Sequence, residues 1–139
     1  MAFTEPRVGC GAAMIVDGRI LLMRRLRPPE AGLWGIAGGK VELFETASAA
    51  AEREIAEELG VRIEARELLC VVDQIDRESG EHWLAPVYLV RDIEGEPMIL
   101  EPHKHERLGW FDLNDPPQPL TAAAAAAIRA LAGRPRPVE

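Results

Sequence analysis

Gly39-Lys40-Val41-Glu42-Leu43-Phe44-Glu45-Thr46-Ala47-Ser48-Ala49-Ala50-Ala51-Glu52-Arg53-Glu54-Ile55-Ala56-Glu57-Glu58-Leu59-Gly60-Val61 is the stretch that decides the fold of this chain. No proline occurs from Thr46 to Leu59, and alanine recurs at 47, 49, 50, 51 and 56. That composition favours helix. Thr46 has the chemistry of an N-cap, and Gly60 that of a C-terminal stop. Two stripes follow from helical spacing. Ala47, Ala51, Ile55 and Leu59 share one face, which should pack on a sheet. Glu54, Glu57 and Glu58 share another.

Three carboxylates on one helix face repel one another and weaken the helix. A bound divalent cation removes the conflict, and an all-oxygen donor set suits Mg²⁺ or Mn²⁺ better than zinc. A solvated acidic face laced with salt bridges would explain Glu52, Arg53, Glu54, Glu57 and Glu58 equally well if the helix stood alone. Gly38-Gly39 and Glu45, at fixed distances before the helix, decide against that reading. A glycine pair permits close backbone approach that other residues forbid.

The spacing is Gly39, five residues, Glu45, seven residues, then Arg53-Glu54-Ile55-Ala56-Glu57-Glu58-Leu59-Gly60-Val61. It fills every fixed position of the sequence box G-x5-E-x7-R-E-U-x-E-E-x-G-U, with U apolar. A chance match in so short a chain has a probability below about 10⁻⁷ at ordinary residue usage. The chain resembles the Nudix hydrolases. The resemblance covers most of the chain and implies an α/β/α sandwich, with a mixed β-sheet between helices, and metal-dependent cleavage of a diphosphate linkage.

It also implies roles for particular residues. Glu54, Glu57 and Glu58 match the family's metal ligands, joined by the backbone carbonyl of Gly38. Gly39 belongs to the same turn. Glu45 matches the carboxylate that supports them, and Arg53 the residue that ties box acids, loop and helix together. Lys40 stands where a basic residue often lies near substrate phosphate. Glu101-Pro102-His103-Lys104 resembles a segment in which the Glu serves as general base or extra ligand. Arg25 ends a strand near where relatives bind nucleotide, and Trp34 and Trp83 each offer an aromatic face to a base or an anchor to the core. Two positions depart from common usage: Ala37, where many members have Pro, and Phe44, where many have Gly.

The 139 residues, 47% apolar, bound the chain to one domain, 1–139. A net charge of −7 argues against a general nucleic-acid surface, which needs a basic stripe. It does not exclude a small phosphorylated substrate at a cation site. No apolar run approaches the ~18 residues of a membrane span. Met1 to Arg7 lacks a signal-peptide pattern, so a cytoplasmic location is expected. Cys10 and Cys70 read as two buried thiols. Whether the chain is a monomer or a homodimer, the state in which many relatives pair, stays open.

Along the chain, Val8–Val16 and Arg19–Arg25 read as strands joined at Asp17-Gly18 by a type I′ turn. Leu33–Ala37, Leu68–Ile75, Trp83–Val90 and Leu108–Phe111 read as further strands. Thr121 caps an alanine-rich helix to Leu131, closed by Gly133. Arg134-Pro135-Arg136-Pro137 is expected to be loose. Three functional readings follow. The first is a pyrophosphohydrolase acting on a nucleoside triphosphate or a modified nucleotide. The second is an ADP-ribose or nucleotide-sugar pyrophosphatase, although Asp76 to Ser79 lacks the Pro or Tyr that such members often carry there. The third is a non-catalytic nucleotide sensor, against which the intact box carboxylates weigh.

Overall fold

The computed structural model describes residues 2–134. The expected loose tail at 135–137 lies outside them. Arg134 is held, donating to the Leu68 carbonyl at 3.2 Å and pairing with Glu67. The elements run β1 (Arg7–Val16), β2 (Arg19–Arg25), β3 (Trp34–Gly35), β4 (Ala37–Lys40), α1 (Ala47–Leu59), β5 (Glu67–Asp76), β6 (Glu81–Val90), β7 (His105–Asp112) and α2 (Ala122–Ala132).

Local chemistry places the element ends where the sequence suggests. The Thr46 hydroxyl accepts from the Ala49 N–H at 3.1 Å, and the Thr121 hydroxyl from the Ala124 N–H at 3.1 Å. Each satisfies an orphan donor of the first turn. Gly60 ends α1 at φ 70, a left-handed conformation that glycine adopts without a Cβ clash. Gly133 closes α2 differently, in the right-handed region at φ −81. Asp17 and Gly18 both take positive φ, 52 and 73, as a type I′ turn requires.

The strands form one mixed sheet in the order β3-β2-β1-β6-β5, with β4 on β1 and β7 on β2. β6 runs parallel to β1, and the other pairings are antiparallel. The central strands are buried on both faces. Ala12, Met14, Leu21 and Met23 pack with Ile55 and Leu59 of α1. Their neighbours Ala13, Ile20 and Leu22 pack with Ala124 and Ala127 of α2. Alternation along a strand sends successive side chains to opposite layers, so the expected α/β/α sandwich results. The α1 stripe is slightly rotated, with Ala50 buried and Ala47 half-buried.

Three expectations are corrected. The stretch Leu33–Ala37 is not one strand. Trp34–Gly35 pairs with β2, and after Ile36 the chain changes partner, so that Ala37–Lys40 pairs with β1. The glycine pair therefore sits in a strand and not in a loop. The last strand starts three residues early, at His105. Cys10 is buried, but Cys70 is only partly so, because a register shift between Leu68 and Cys70 lies beside it in β5.

Ile55, with no exposed surface, anchors α1 on the sheet. Ile55→Ala should lower unfolding free energy by about 2–5 kcal/mol at constant m-value in urea titration. A loss under about 1 kcal/mol would show that this stripe does not hold the helix.

Candidate active site

Strand β4 and helix α1 build the site together. Gly38 pairs with Gly11, and Gly39 with Cys10, so the strand runs tight against β1. A Cβ on Gly38 would lie 2.1 Å from the Cys10 carbonyl oxygen. A Cβ on Gly39 would lie 2.3 Å from the Glu54 carboxyl carbon. The first glycine is required by backbone and the second by the acid of α1. That is the close approach the glycine pair suggested. Ala37, the departure from proline, is buried and paired with Ala12. Phe44, the departure from glycine, takes φ 70 with its side chain 98% exposed. This conformation costs a bulky residue energy, which explains glycine's frequency there.

Arg53 is the hub. Its Nε donates to Glu45 Oε2 at 2.8 Å, and its Nη2 to Glu45 Oε1 at 2.9 Å, a two-pronged grip. Nη1 donates to Glu54 at 2.9 Å and to Glu57 at 3.3 Å. Nη2 also donates to the Lys40 carbonyl at 3.0 Å. Glu45 closes the loop on itself by accepting from the Glu42 N–H at 3.1 Å. Arg53 holds the Glu45 carboxyl down to about 2, while Glu45 raises the guanidinium further.

The three α1 acids differ in exposure. Side-chain exposure is 54% at Glu57, 16% at Glu54 and 5% at Glu58. Glu58 therefore faces inward. Its Oε1 accepts from the Gly38 N–H at 3.1 Å, and its Oε2 lies 3.3 Å from His105 Nε2. Burial pushes the Glu58 carboxyl up to about 8, against the Gly38 hydrogen bond, with the charges of Glu54 and Glu101 adding to the rise. Burial raises Glu54 as well, opposed by Arg53. Burial, then the nearby Arg25 charge, pushes His105 down to about 4. Burial pushes the Cys10 thiol up to about 11, which leaves it unreactive at neutral pH.

Among the described residues, no three His, Cys, Asp or Glu side chains converge on one point as they stand. Arg53 holds Glu54 and Glu57, while Glu58 turns to Gly38 and His105. The donor set nonetheless fits a hard divalent cation. It is all oxygen, it lies on adjacent turns of one helix, and its inner member carries a burden of burial and like charge that a cation reverses.

Beside the acids lies a cleft of about 280 Å³, lined among others by Arg25, Gly38, Gly39, Lys40, Gln74 and Trp83. Gly38 and Gly39 thus belong to both features. A wider hollow of about 640 Å³ lies along α1 by Arg53, Ala56, Gly60, Arg62 and Glu94, and the glycine pair does not line it. Arg25 reaches the cleft, but its Nε is committed to the Pro29 carbonyl at 3.0 Å. Glu101 stands close enough to Glu58 to raise it, and is paired with Lys104 at 3.3 Å.

Trp34 lies elsewhere. It packs edge-on to Phe111, centroids 4.9 Å apart, in the α2-side core and not on the cleft wall. Trp83, the other aromatic with a choice between base and core, lines the cleft instead, its indole N–H donating to Glu81 at 3.2 Å. The sequence reading also passed over His105, Glu30 and Gln74. The Gln74 amide donates to Glu30 at 3.0 Å, and Glu30 also accepts from Ala122 at the start of α2. Only a polar residue breaking the apolar pattern of β5 could have drawn attention to Gln74.

The model of the NUDIX domain matches residues 5–131. An ADP-ribose pyrophosphatase of Methanocaldococcus jannaschii is 33% identical over 116 residues, 84% of this chain and 68% of that one. A CTP pyrophosphohydrolase of Escherichia coli is 38% identical over 95 residues, 68% of this chain and 67% of that one. The crystal structure of a MutT NUDIX hydrolase from Burkholderia pseudomallei superposes with a TM-score of 0.89 at 57% identity, covering 91% of this chain and 98% of that one.

Glu45 links the site to acid stability. Its folded value, about 2, lies below the ordinary 4.5. Its contribution is therefore complete above about pH 4.5 and is lost as pH falls toward 2. Glu45→Gln should flatten the unfolding midpoint across that window. An acid limb identical to that of the parent protein would contradict the Arg53–Glu45 grip.

Proposed function

Because the chain belongs to the NUDIX domain family and is a Nudix hydrolase acting on pyrophosphate bonds of nucleotides, we propose that it hydrolyses a nucleoside triphosphate, ordinary or oxidised, to the monophosphate and pyrophosphate. The observation that carries this is the glycine pair shared by two features. Gly38 and Gly39 touch the carboxylates of Glu58 and Glu54 on α1 and also line the cleft. A nucleoside in the cleft would lay its phosphates along the strand toward the acids.

Roles follow from placement. Glu54, Glu57, Glu58 and the Gly38 carbonyl would hold Mg²⁺ or Mn²⁺. When bound, the cation supplies neutralisation of phosphate charge and makes water nucleophilic at neutral pH. Arg53 and Glu45 keep the box acids and the β4–α1 loop in register. Lys40 and Arg25 draw the anionic substrate into a chain of net charge −7. Glu101 takes the proton of the attacking water as the phosphoanhydride P–O bond breaks, and pyrophosphate departs with the electron pair. Trp83, in place of Trp34, offers the aromatic wall for the base.

A second reading rests on the M. jannaschii relative, an ADP-ribose pyrophosphatase. The two readings differ in products. Triphosphate cleavage releases pyrophosphate, whereas ADP-ribose cleavage releases two monophosphates and none. A substrate panel with and without Mg²⁺ should give metal-dependent pyrophosphate release from a triphosphate. Turnover of ADP-ribose alone would select the second reading. Glu57→Gln removes an exposed acid and no core packing, so the fold should persist while turnover falls by about 100-fold or more. Turnover near the parent rate would refute the ligand assignment.

A further inference from the structure

Glu58 and His105 form the most deeply buried acid–base contact among the described residues, with side chains 5% and 7% exposed. His105 opens β7, directly after the Glu101–Lys104 loop, and Met23, Arg24 and Arg25 of β2 pair with the same strand. Its Nε2 meets Glu58 Oε2 at 3.3 Å. Its Nδ1 is buried without any hydrogen-bond partner, alone in this among the described side-chain polar atoms. An ordinary core histidine would have both ring nitrogens satisfied. This one leaves a polar atom unpaired, and its one polar side-chain contact is a site carboxylate.

We propose that His105 is a positioning residue for Glu58. The inference rests on the reading of Glu58 as a cation ligand. With a cation bound Glu58 is ionised and only accepts, so Nε2 carries the proton and Nδ1 stays bare. The Gly38 N–H fixes one oxygen from β4, and the His105 N–H fixes the other from β7. Two donors from two strands set the plane of the carboxylate, and each oxygen keeps a lone pair for the cation. Partners of this kind orient ligands and contribute about 10–100-fold to metal affinity. The adjoining loop carries Glu101, so the same strand start also sets the distance between Glu101 and Glu58.

The test is Mn²⁺ binding, followed by calorimetry or by the free-ion electron paramagnetic resonance signal, on folded full-length protein. His105→Leu keeps volume and removes the donor, and should weaken Mn²⁺ by about tenfold or more. His105→Gln places an N–H at the reach of Nε2 and should restore most of the affinity. Parental affinity in His105→Leu would overturn the proposal. So would equal losses in both variants, the signature of a merely structural role. Glu58→Gln separates the premises: if it binds Mn²⁺ as the parent does, the ligand reading itself fails. Nitrogen NMR of unsubstituted, Mg²⁺-loaded protein needs no variant. It should show His105 protonated at Nε2, and protonation at Nδ1 would overturn the proposal.

Discussion

One guanidinium holds this site in shape. Arg53 reaches the loop through both oxygens of Glu45 and the Lys40 carbonyl, and its own helix face through Glu54 and Glu57. The planar fork of arginine can do all of this at once, and a lysine ammonium cannot. Without that grip, two forces would pull the region apart. The acids of α1 repel one another, and the middle of the β4–α1 loop, with Leu43 and Phe44 exposed and Phe44 at positive φ, has little apolar packing to fix it. The glycine pair is the other half of the constraint. Lacking Cβ atoms, Gly38 lies against β1 and Gly39 against Glu54.

Burial then divides labour among like residues. Glu57 is exposed and paired with Arg53, Glu54 is held by Arg53 with little exposure, and Glu58 is buried between two strands. Three acids that a helical wheel treats alike thus occupy three environments. The inner one strains against its surroundings, pushed up to about 8, which is the condition a cation relieves. Gly38 and Gly39 also line the cleft, so one short strand borders both the acids and the cleft.

What was legible in the sequence was what local chemistry governs. The caps Thr46, Gly60 and Thr121, the turn at Asp17-Gly18 and the Ala51-Ile55-Leu59 stripe each depend on residues within a few positions, and each stands as read. The box spacing carried the family. What stayed hidden depends on distant partners. The chain switches from β2 to β1 at Ile36, a change of neighbour that leaves no mark on the apolar pattern. Trp34 and Trp83 are alike by composition, and only the third dimension sends one to the core and the other to the cleft. Glu30 meets Gln74 and α2 across long sequence separations. His105, beside the conspicuous Glu101-Pro102-His103-Lys104 segment, matters through Glu58, a residue on another element.

The central claim is that the acid face of α1, braced by Arg53 and backed by the glycine pair, exists to hold a divalent cation beside the cleft. Anomalous diffraction from crystals soaked in Mn²⁺ tests this most directly. The account predicts a peak bounded by the carboxylates of Glu54, Glu57 and Glu58 and the carbonyl of Gly38, with Arg53 still bound to Glu45. Manganese located away from these oxygens, or absent from the face at concentrations that saturate the protein in solution, would contradict it.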